Sequence, residues 1–212
     1  MRAAVIAWGA SAGCVGLGVG SQAPGAGAGE HWGTTYHHTL NGETAPPGYD
    51  FAVHGYHSNG PVGMEVGYRG GFSSASIPNA PSSVGVSAEL HLDVMAHGFG
   101  LTASYGKESA TFNSVDYTYG GLGTGVFTQM TLAEPLYLDL GVSRIWGGVG
   151  VDGMDTVDAP ATRISARLKL VVESFGLSAE IRGTSADHAM VGTTDATWSS
   201  MSMMFELFYV AL

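Results

Sequence analysis

The stretch Ser83–Ala96, S-V-G-V-S-A-E-L-H-L-D-V-M-A, alternates apolar and polar residues without a break. One parity holds only apolar residues, namely Val84, Val86, Ala88, Leu90, Leu92 and Val94. The other holds small or polar residues, namely Gly85, Ser87, Glu89, His91 and Asp93. Because neighbouring side chains of a strand point to opposite faces, this period-two pattern predicts a β-strand with one apolar and one polar face.

At least six further segments repeat this alternation, which predicts an all-β antiparallel barrel. The candidate strands are 32–40, 49–58, 62–72, 99–107, 117–130, 136–146, 163–173, 175–183 and 196–212. Short turns are predicted at Asn59-Gly60, His97-Gly98, 133–135 and Ser174. They alternate with longer polar loops at 41–48, 73–82, 108–114, 147–160 and 185–195.

The composition argues against a water-facing exterior. Charged residues make up 12% of the 212-residue chain, about half the ~25% of ordinary soluble domains. Lys107 and Lys169 are the only lysines, although soluble β proteins use lysine to keep sheet edges wet. No apolar block reaches the ~20 residues that a membrane helix needs. A net charge of −10 argues against nucleic-acid binding, and the single cysteine excludes an intrachain disulfide framework.

The two faces of the strands together predict a barrel with its apolar face outward, in lipid. A charge facing the middle of a bilayer costs about 2–4 kcal/mol for Arg or Lys, and the runs of alternating apolar residues, such as Leu136 to Val142, include none on the apolar face. The polar parities combine small residues with both charge signs, as a crowded interior requires. Twelve charged residues belong to this inward face: Glu65, Arg69, Glu89, Asp93, Asp139, Arg163, Arg167, Lys169, Glu173, Glu180, Arg182 and Glu206.

The N-terminal 31 residues are predicted to lie outside the barrel. Residues 1–14 have a basic start, a short apolar core and small residues, as in a secretory signal peptide. Cleavage after the Ala-x-Ala pattern of residues 10–12 is one reading. The other treats residues 11–14 as a lipobox, after which Cys14 is lipidated. The Gly/Ala-rich residues 15–31 are predicted to be a tether, and 32–212 the barrel domain.

These features together resemble bacterial outer-membrane β-barrel proteins. The resemblance rests on the export signal, the strands of ~10 residues, the alternation of short turns with long loops, and a final strand near the C-terminus. It implies location in the bacterial outer membrane, with lipid as the partner, and both termini on one side. An even number of crossings is then required, which favours ten strands, with eight as the alternative.

The inward charges predict the state of the interior. A barrel of eight to ten strands is narrow enough for side chains to fill, and buried charges must be paired. The prediction is therefore an interior filled by ion pairs, with a structural role or a narrow passage for small solutes, and no cofactor. The alternative from another class is an exported soluble barrel that binds a hydrophobic ligand.

Catalysis and metal binding find little support in the sequence. Asp187-His188, His37 and His38 are candidates for a hydrolase at the outer rim. The spacing of Asp187-His188 differs from that of the omptin proteases, whose Asp and His are separated by one residue. Three aspartates of the 147–160 loop are possible calcium ligands, but their spacing does not match an EF-hand loop. Neither a catalytic residue nor a metal ligand is predicted.

Overall fold

The structure is a computed structural model that describes residues 25–38, 41–44, 48–59, 62–75, 83–112, 115–173, 175–187, 189–192, 194–196 and 198–209. The predicted signal peptide 1–14, the lipidation of Cys14 and the first part of the predicted tether lie outside the described residues. The same holds for Gly60 and His188. Nowhere in the described chain is there a helix long and apolar enough to cross a membrane.

The described residues form fourteen strands, four of them short. In chain order they are β1 Gly25–His38, β2 Asn41–Thr44, β3 Gly48–Asn59, β4 Val62–Ala75, β5 Ser83–Ala96, β6 Phe99–Phe112, β7 Val115–Ala133, β8 Leu136–Val151, β9 Val157–Asp158, β10 Ala161–Val172, β11 Phe175–Ala186, β12 Ala189–Val191, β13 Thr194–Ala196 and β14 Trp198–Tyr209. The alternating stretch Ser83–Ala96 forms β5, with the predicted bounds.

The strands pair antiparallel into one nearly closed barrel of nine to eleven strands. The sheet runs β10-β11-β14-β1-β3-β4-β5-β6-β7-β8-β9, and β10 also pairs with β8. The ladder between β1 and β3 is short, covering Gly25 to His31 of β1, whereas β3 and β4 pair over the whole of β3. The all-β antiparallel architecture predicted from the sequence is confirmed.

The short turns lie at one end of the barrel, which we call the short-turn mouth. His97 and Gly98 both have positive φ, 53° and 79°, as a tight hairpin turn requires. The turn at Glu134-Pro135 lies at the same mouth. Gly25 pairs with Phe208, so the two described ends of the chain lie at one mouth, in agreement with the predicted placement of the termini. The opposite end is the long-loop mouth.

Several strands extend further toward the long-loop mouth than the alternation predicts. β6 continues through the predicted loop to Phe112, and β8 continues to Val151. The extensions are rich in Gly, Ser and Thr and lack large outward residues, so the hydrophobic pattern fades. Backbone pairing with the neighbouring strand holds them, as in the register of Tyr117 with Val151.

Three other segments also differ from the predicted loops and tether. β1 begins at Gly25, inside the predicted tether, and its Gly/Ala residues pair with β14 and β3. β2 lies in the predicted 41–48 loop and pairs with the end of β1. The predicted 185–195 loop contains the β12–β13 hairpin. In each case backbone hydrogen bonds to a neighbouring strand hold the segment in a β-conformation. Its sequence lacks the clear alternation of bulky apolar residues that predicts a strand.

Inward glycines lie beneath rings of the neighbouring strand. A Cβ on Gly100 would lie 2.1 Å from the ring of its cross-strand partner Phe127. Gly176 is covered in the same way by Phe208. Such pairs of a glycine and an aromatic residue stabilise curved sheets, because the ring covers the exposed backbone.

An apolar cluster lies at the long-loop mouth. Its buried members are Tyr117, Tyr119, Ile145, Val149, Val151, Ala159, Ala161, Ala189 and Val191. The hydroxyl of Tyr119 donates a hydrogen bond to the carbonyl of Ala159 at 3.1 Å. A small separate core therefore lies at this mouth. It is formed by the extended ends of β7 and β8, by the segment that follows β9, and by β12.

Candidate functional site: the charged barrel interior

The apolar parity of the strands faces away from the barrel axis. Leu90 is 57% exposed and Leu168 is 43% exposed, whereas Glu180 is 3% exposed and Lys169 is fully buried. A soluble barrel with an apolar lining would have the opposite arrangement. The outward face of β4 to β11 is thus a broad apolar surface, and the interior is charged.

Aromatic side chains mark both borders of the apolar surface. They are exposed near the short-turn mouth, at Phe99 and Phe175, and toward the long-loop mouth, at Phe72, Tyr105 and Trp146. Such rings lie at the two interfaces of membrane barrels. Tyr117, near the long-loop mouth, is buried in the apolar cluster and does not belong to these exposed aromatic residues.

One charged side chain lies on the outward parity near Trp146. Arg144 donates to Asp187 at 2.5 Å and to the hydroxyl of Thr162 at 2.9 Å. Asp187 is therefore held by an arginine at the border of the apolar surface. His188 lies outside the described residues, so the structure does not test the candidate pair Asp187-His188.

Glu89 of β5 is the first centre of the interior ion pairs. It accepts from Arg163 at 2.5 Å and from Arg182 at 2.9 Å. Arg163 lies on β10 and Arg182 on β11, neither of which neighbours β5 in the sheet. The side chains therefore cross the interior and join opposite parts of the wall.

Glu180 of β11 is the second centre. Its carboxylate lies 2.5 Å from Arg69, 3.1 Å from Arg167 and 3.3 Å from Arg182. Arg182 thus joins the two centres. Three arginines around one buried carboxylate satisfy its lone pairs and offset part of the cost of burying it.

Two further groups of contacts lie nearer the short-turn mouth. Lys169 contacts Asp139, and the side-chain amide of Gln129 donates to the same carboxylate at 2.6 Å. Glu206 accepts from Ser178 at 2.9 Å and lies 3.8 Å from Arg167.

The ion pairs divide the interior into small cavities. Each of two cavities has a volume of about 80 Å³, and both are lined by Glu89, Arg163 and Arg182. One extends to Tyr119 on the side of the long-loop mouth. The other extends to Asp139 on the opposite side. Each is large enough for a few water molecules, with the cross-barrel ion pairs between them.

Among the described residues, Glu65 and Asp93 form no ion pair with these arginines, although Asp93 lines the same cavity as Arg163 and Arg167. Glu65 lies 3.5 Å from Nε2 of His91 and 3.7 Å from Nδ1 of His54. Ligand atoms of Glu65, His91 and Asp93 lie within 4.8 Å of one another. Their neighbours are histidines, whereas the predicted ion pairs required lysine or arginine.

Eleven of the twelve predicted charged residues occupy the interior. The exception is Glu173, which is exposed at the end of β10 with φ of 54°. The reason is that β10 ends at Val172, so the alternation no longer applies to the turn. The polar residues His54, His91, Gln129 and Ser178 also face the interior. Their inward parity indicates this position, but the residues predicted for the ion-pair interior include charged side chains only.

The 147–160 segment forms no carboxylate cluster among its described aspartates. Asp152 has φ of 50° and accepts a hydrogen bond from the backbone of Asp116 at 2.9 Å. Asp155 and Asp158 are exposed. Asp152 thus stabilises the end of the β7–β8 hairpin.

Comparison with known proteins finds likeness in fold alone. No protein-family model matches the chain, and no curated protein matches it. The transport unit of the autotransporter AIDA-I from Escherichia coli is similar, with a TM-score of 0.49 and 8% identity over 99% of this chain and 97% of that one.

Two more solved structures are similar at comparable levels. The beta domain of the Bordetella autotransporter BrkA has a TM-score of 0.47 and 11% identity, covering 90% of this chain and 100% of that one. An outer membrane channel from Pseudomonas putida F1 has a TM-score of 0.46 and 8% identity, covering 91% and 97%. These are bacterial outer-membrane β-barrels, the class that the sequence resembles.

Proposed function

We propose that the chain is an integral protein of the bacterial outer membrane, in which a ten-stranded, fully closed barrel carries an interior filled by ion pairs. Its role is structural, or that of a narrow passage for water and small solutes. The observation that carries the proposal is the direction of the two faces. An exposed apolar surface of this extent favours lipid as its surroundings, and the charged residues turn inward.

The strand pairing supports closure with ten strands. β1 has ladders with both β14 and β3, and β8 pairs with β10. With β2 and β9 counted as short additions, each remaining strand of the sheet then has two neighbours. An even number of crossings also agrees with Gly25 lying beside Phe208. A closed barrel leaves no unpaired edge in lipid, where unsatisfied backbone groups are costly.

The cross-barrel ion pairs support a narrow passage over an open pore. Arg182 and Glu89 lie between the two cavities, so a solute moving along the axis must displace this pair. Water-sized cavities on both sides suit water or a small ion. Under this proposal the Glu89–Arg182 contact is the constriction, and its removal should widen the path.

Conductance of the refolded protein in a planar bilayer tests the passage. Arg182→Ala removes the side chain that crosses the interior, and it should raise the conductance above that of the wild type. Arg144→Ala is the matched control because Arg144 faces outward, and it should leave the conductance unchanged. No current in either the wild type or Arg182→Ala overturns the passage and leaves the structural role.

Membrane integration has a separate test. The folded wild-type chain should require detergent or lipid for solubility, because the outward apolar residues face the surroundings. A folded, monomeric protein in plain buffer would overturn the membrane assignment and favour the exported soluble barrel.

A further inference from the structure

We propose that Glu65, His91 and Asp93, with His54 beside them, bind one divalent transition-metal ion, of the Zn²⁺ type, inside the barrel. The four residues come from three consecutive strands, β3, β4 and β5, and all lie toward the short-turn mouth. The proposal goes beyond the passage because it assigns a ligand to a part of the interior that the arginine network does not use.

The spacing of the side chains fits a metal ion. One ligand atom each of Glu65, His91 and Asp93 lies within 4.8 Å of the others. Two ligands at about 2.0–2.1 Å from a tetrahedral Zn²⁺ are separated by about 3.3 Å. The separation of 3.5 Å between Glu65 and His91 is close to that value. His54 lies beside this group, with Nδ1 3.7 Å from the second oxygen of Glu65.

The described cations of the interior form their ion pairs with other carboxylates. Arg69, Arg163, Arg167 and Arg182 contact Glu89, Glu180 or Glu206. Lys169 contacts Asp139.

Within the described residues, neither Glu65 nor Asp93 has an ion pair with Lys or Arg. Two neighbouring buried carboxylates repel each other and need a positive charge. One divalent ion with two neutral imidazoles gives a neutral site.

Several buried polar atoms of the cluster lack hydrogen bonds. Both ring nitrogens of His54 have no partner, and its side chain is only 3% exposed. Oε2 of Glu65 and Oδ1 of Asp93 are also without a partner. Buried polar atoms are normally satisfied, so this concentration of free lone pairs in one place points to a ligand that accepts them.

The backbone is shaped to hold the imidazole of His91. Its ring lies over Gly67, where a Cβ would come within 2.1 Å of Cε1. Gly67 is the cross-strand partner of His91, so a side chain at that position would push the ring away from Glu65. Glycine here fixes the direction in which the ring nitrogen points.

A direct His–carboxylate ion pair explains the geometry less well. Charge-assisted N–H···O bonds are usually about 2.7–2.9 Å long, shorter than both contacts of Glu65 with the histidines. A mixed set of imidazole and carboxylate ligands favours Zn²⁺ and similar first-row ions over Ca²⁺ or Mg²⁺, which prefer oxygen ligands alone.

Metal binding is tested on the full chain, refolded in detergent without an affinity tag and freed of metal by chelation. Titration with Zn²⁺ in a calorimeter should give one site per chain, and Co²⁺ should give the visible absorption of a tetrahedral nitrogen–oxygen site. His91→Gln and Glu65→Gln should each weaken Zn²⁺ binding by about 100-fold or more, as loss of a ligand exceeds loss of an outer-shell partner.

Matched controls separate the cluster from other histidines and from the thiol. His97→Gln changes an exposed turn residue, and the pair His37→Gln and His38→Gln changes the histidines at the end of β1; neither should alter the affinity. Cys14→Ser should also bind as the wild type. Gly67→Ala, which displaces the ring without removing it, should weaken binding and so covers the case in which His91→Gln fails to fold.

The proposal is overturned if the wild type binds no Zn²⁺, or if His91→Gln and Glu65→Gln bind it with unchanged affinity. Binding in detergent is independent of conductance and of membrane location. Failure here therefore leaves the proposed passage as it stands, and failure of the passage leaves the metal site.

Discussion

Arg182 on β11 and Glu89 on β5 form an ion pair through the middle of the barrel, with Nη1 and Oε1 2.9 Å apart. The two strands are not neighbours in the sheet. The wall of the barrel is therefore joined across its interior as well as around its circumference. Both side chains are mostly buried, at 16% and 12% exposed, and loss of one partner leaves the other with a single ion-pair partner, Arg163 for Glu89 and Glu180 for Arg182.

Mutation of this pair should show strong coupling. Arg182→Met and Glu89→Gln should each destabilise the barrel by about 1.5–3 kcal/mol, the range for loss of a hydrogen bond to a charged group, because Arg163 still compensates Glu89 and Glu180 still compensates Arg182. The double variant should lose clearly less than the sum, with a coupling energy of about 1–3 kcal/mol. Reversible urea unfolding in lipid vesicles measures all four free energies. Additive losses would show that the pair contributes no interaction of its own.

Lys169 provides a test of charge burial near the short-turn mouth. Its side chain is fully buried against Asp139, which also accepts from Gln129. Lys169→Met should destabilise the barrel by about 3–5 kcal/mol, whereas Lys169→Met with Asp139→Leu should recover much of the loss because no charge then stays unpaired.

Lys107→Met is the control for Lys169→Met. Lys107 is exposed, so its replacement should change the free energy of unfolding by less than about 0.5 kcal/mol. The same urea titration serves for all three variants. Equal losses for Lys169→Met and Lys107→Met would contradict the assigned burial.

The outward leucines should report their depth in the bilayer. Leu140 lies midway between the turn at Glu134-Pro135 and Trp146, while Leu132 lies beside that turn. Leu140→Arg should cost about 2–4 kcal/mol and Leu132→Arg about 0–1 kcal/mol, because the cost of a lipid-facing charge falls toward the interfaces. Both residues are outward and similarly exposed. Unfolding in vesicles should show this difference, and equal costs would argue against lipid around the barrel.

The alternation in β5 predicted both the strand and its orientation. Leu90 faces outward and Glu89 inward, as their parities require, because large apolar and charged residues identify a face unambiguously. Interior charges could be predicted for the same reason. Glu173 was assigned wrongly since a strand end cannot be read from alternation alone.

β7 shows what the sequence could not supply. Its inward residues include Gly121, Gly123 and Gly125, and glycine carries no indication of a face, so the phase was unclear from the sequence. The cluster of His54, Glu65 and His91 was also out of reach. It depends on the register of β3, β4 and β5, and a histidine on a polar parity does not reveal which carboxylate lies opposite.

The inward glycines of β6 and β7 give the last prediction. Gly100→Ala places a methyl group into the ring of Phe127 and should cost about 1–3 kcal/mol, the usual cost of overpacking. A Cβ on Gly121 would meet the backbone of Trp146 and Gly147 at 2.4 Å. Since a backbone moves less readily than a ring, Gly121→Ala should cost at least as much as Gly100→Ala.

Gly183→Ala is the matched control for both glycine variants. Gly183 also lies in a barrel strand, and a Cβ there would have no atom within 4 Å. Alanine restricts the unfolded chain at no steric cost, so this variant should be neutral or stabilise the barrel by up to about 1 kcal/mol. Unfolding of the three variants under one condition ranks them. If Gly183→Ala were as destabilising as Gly121→Ala, the loss of glycine itself would be the cause. The close approach of β7 to β8 would then not explain the destabilisation by Gly121→Ala.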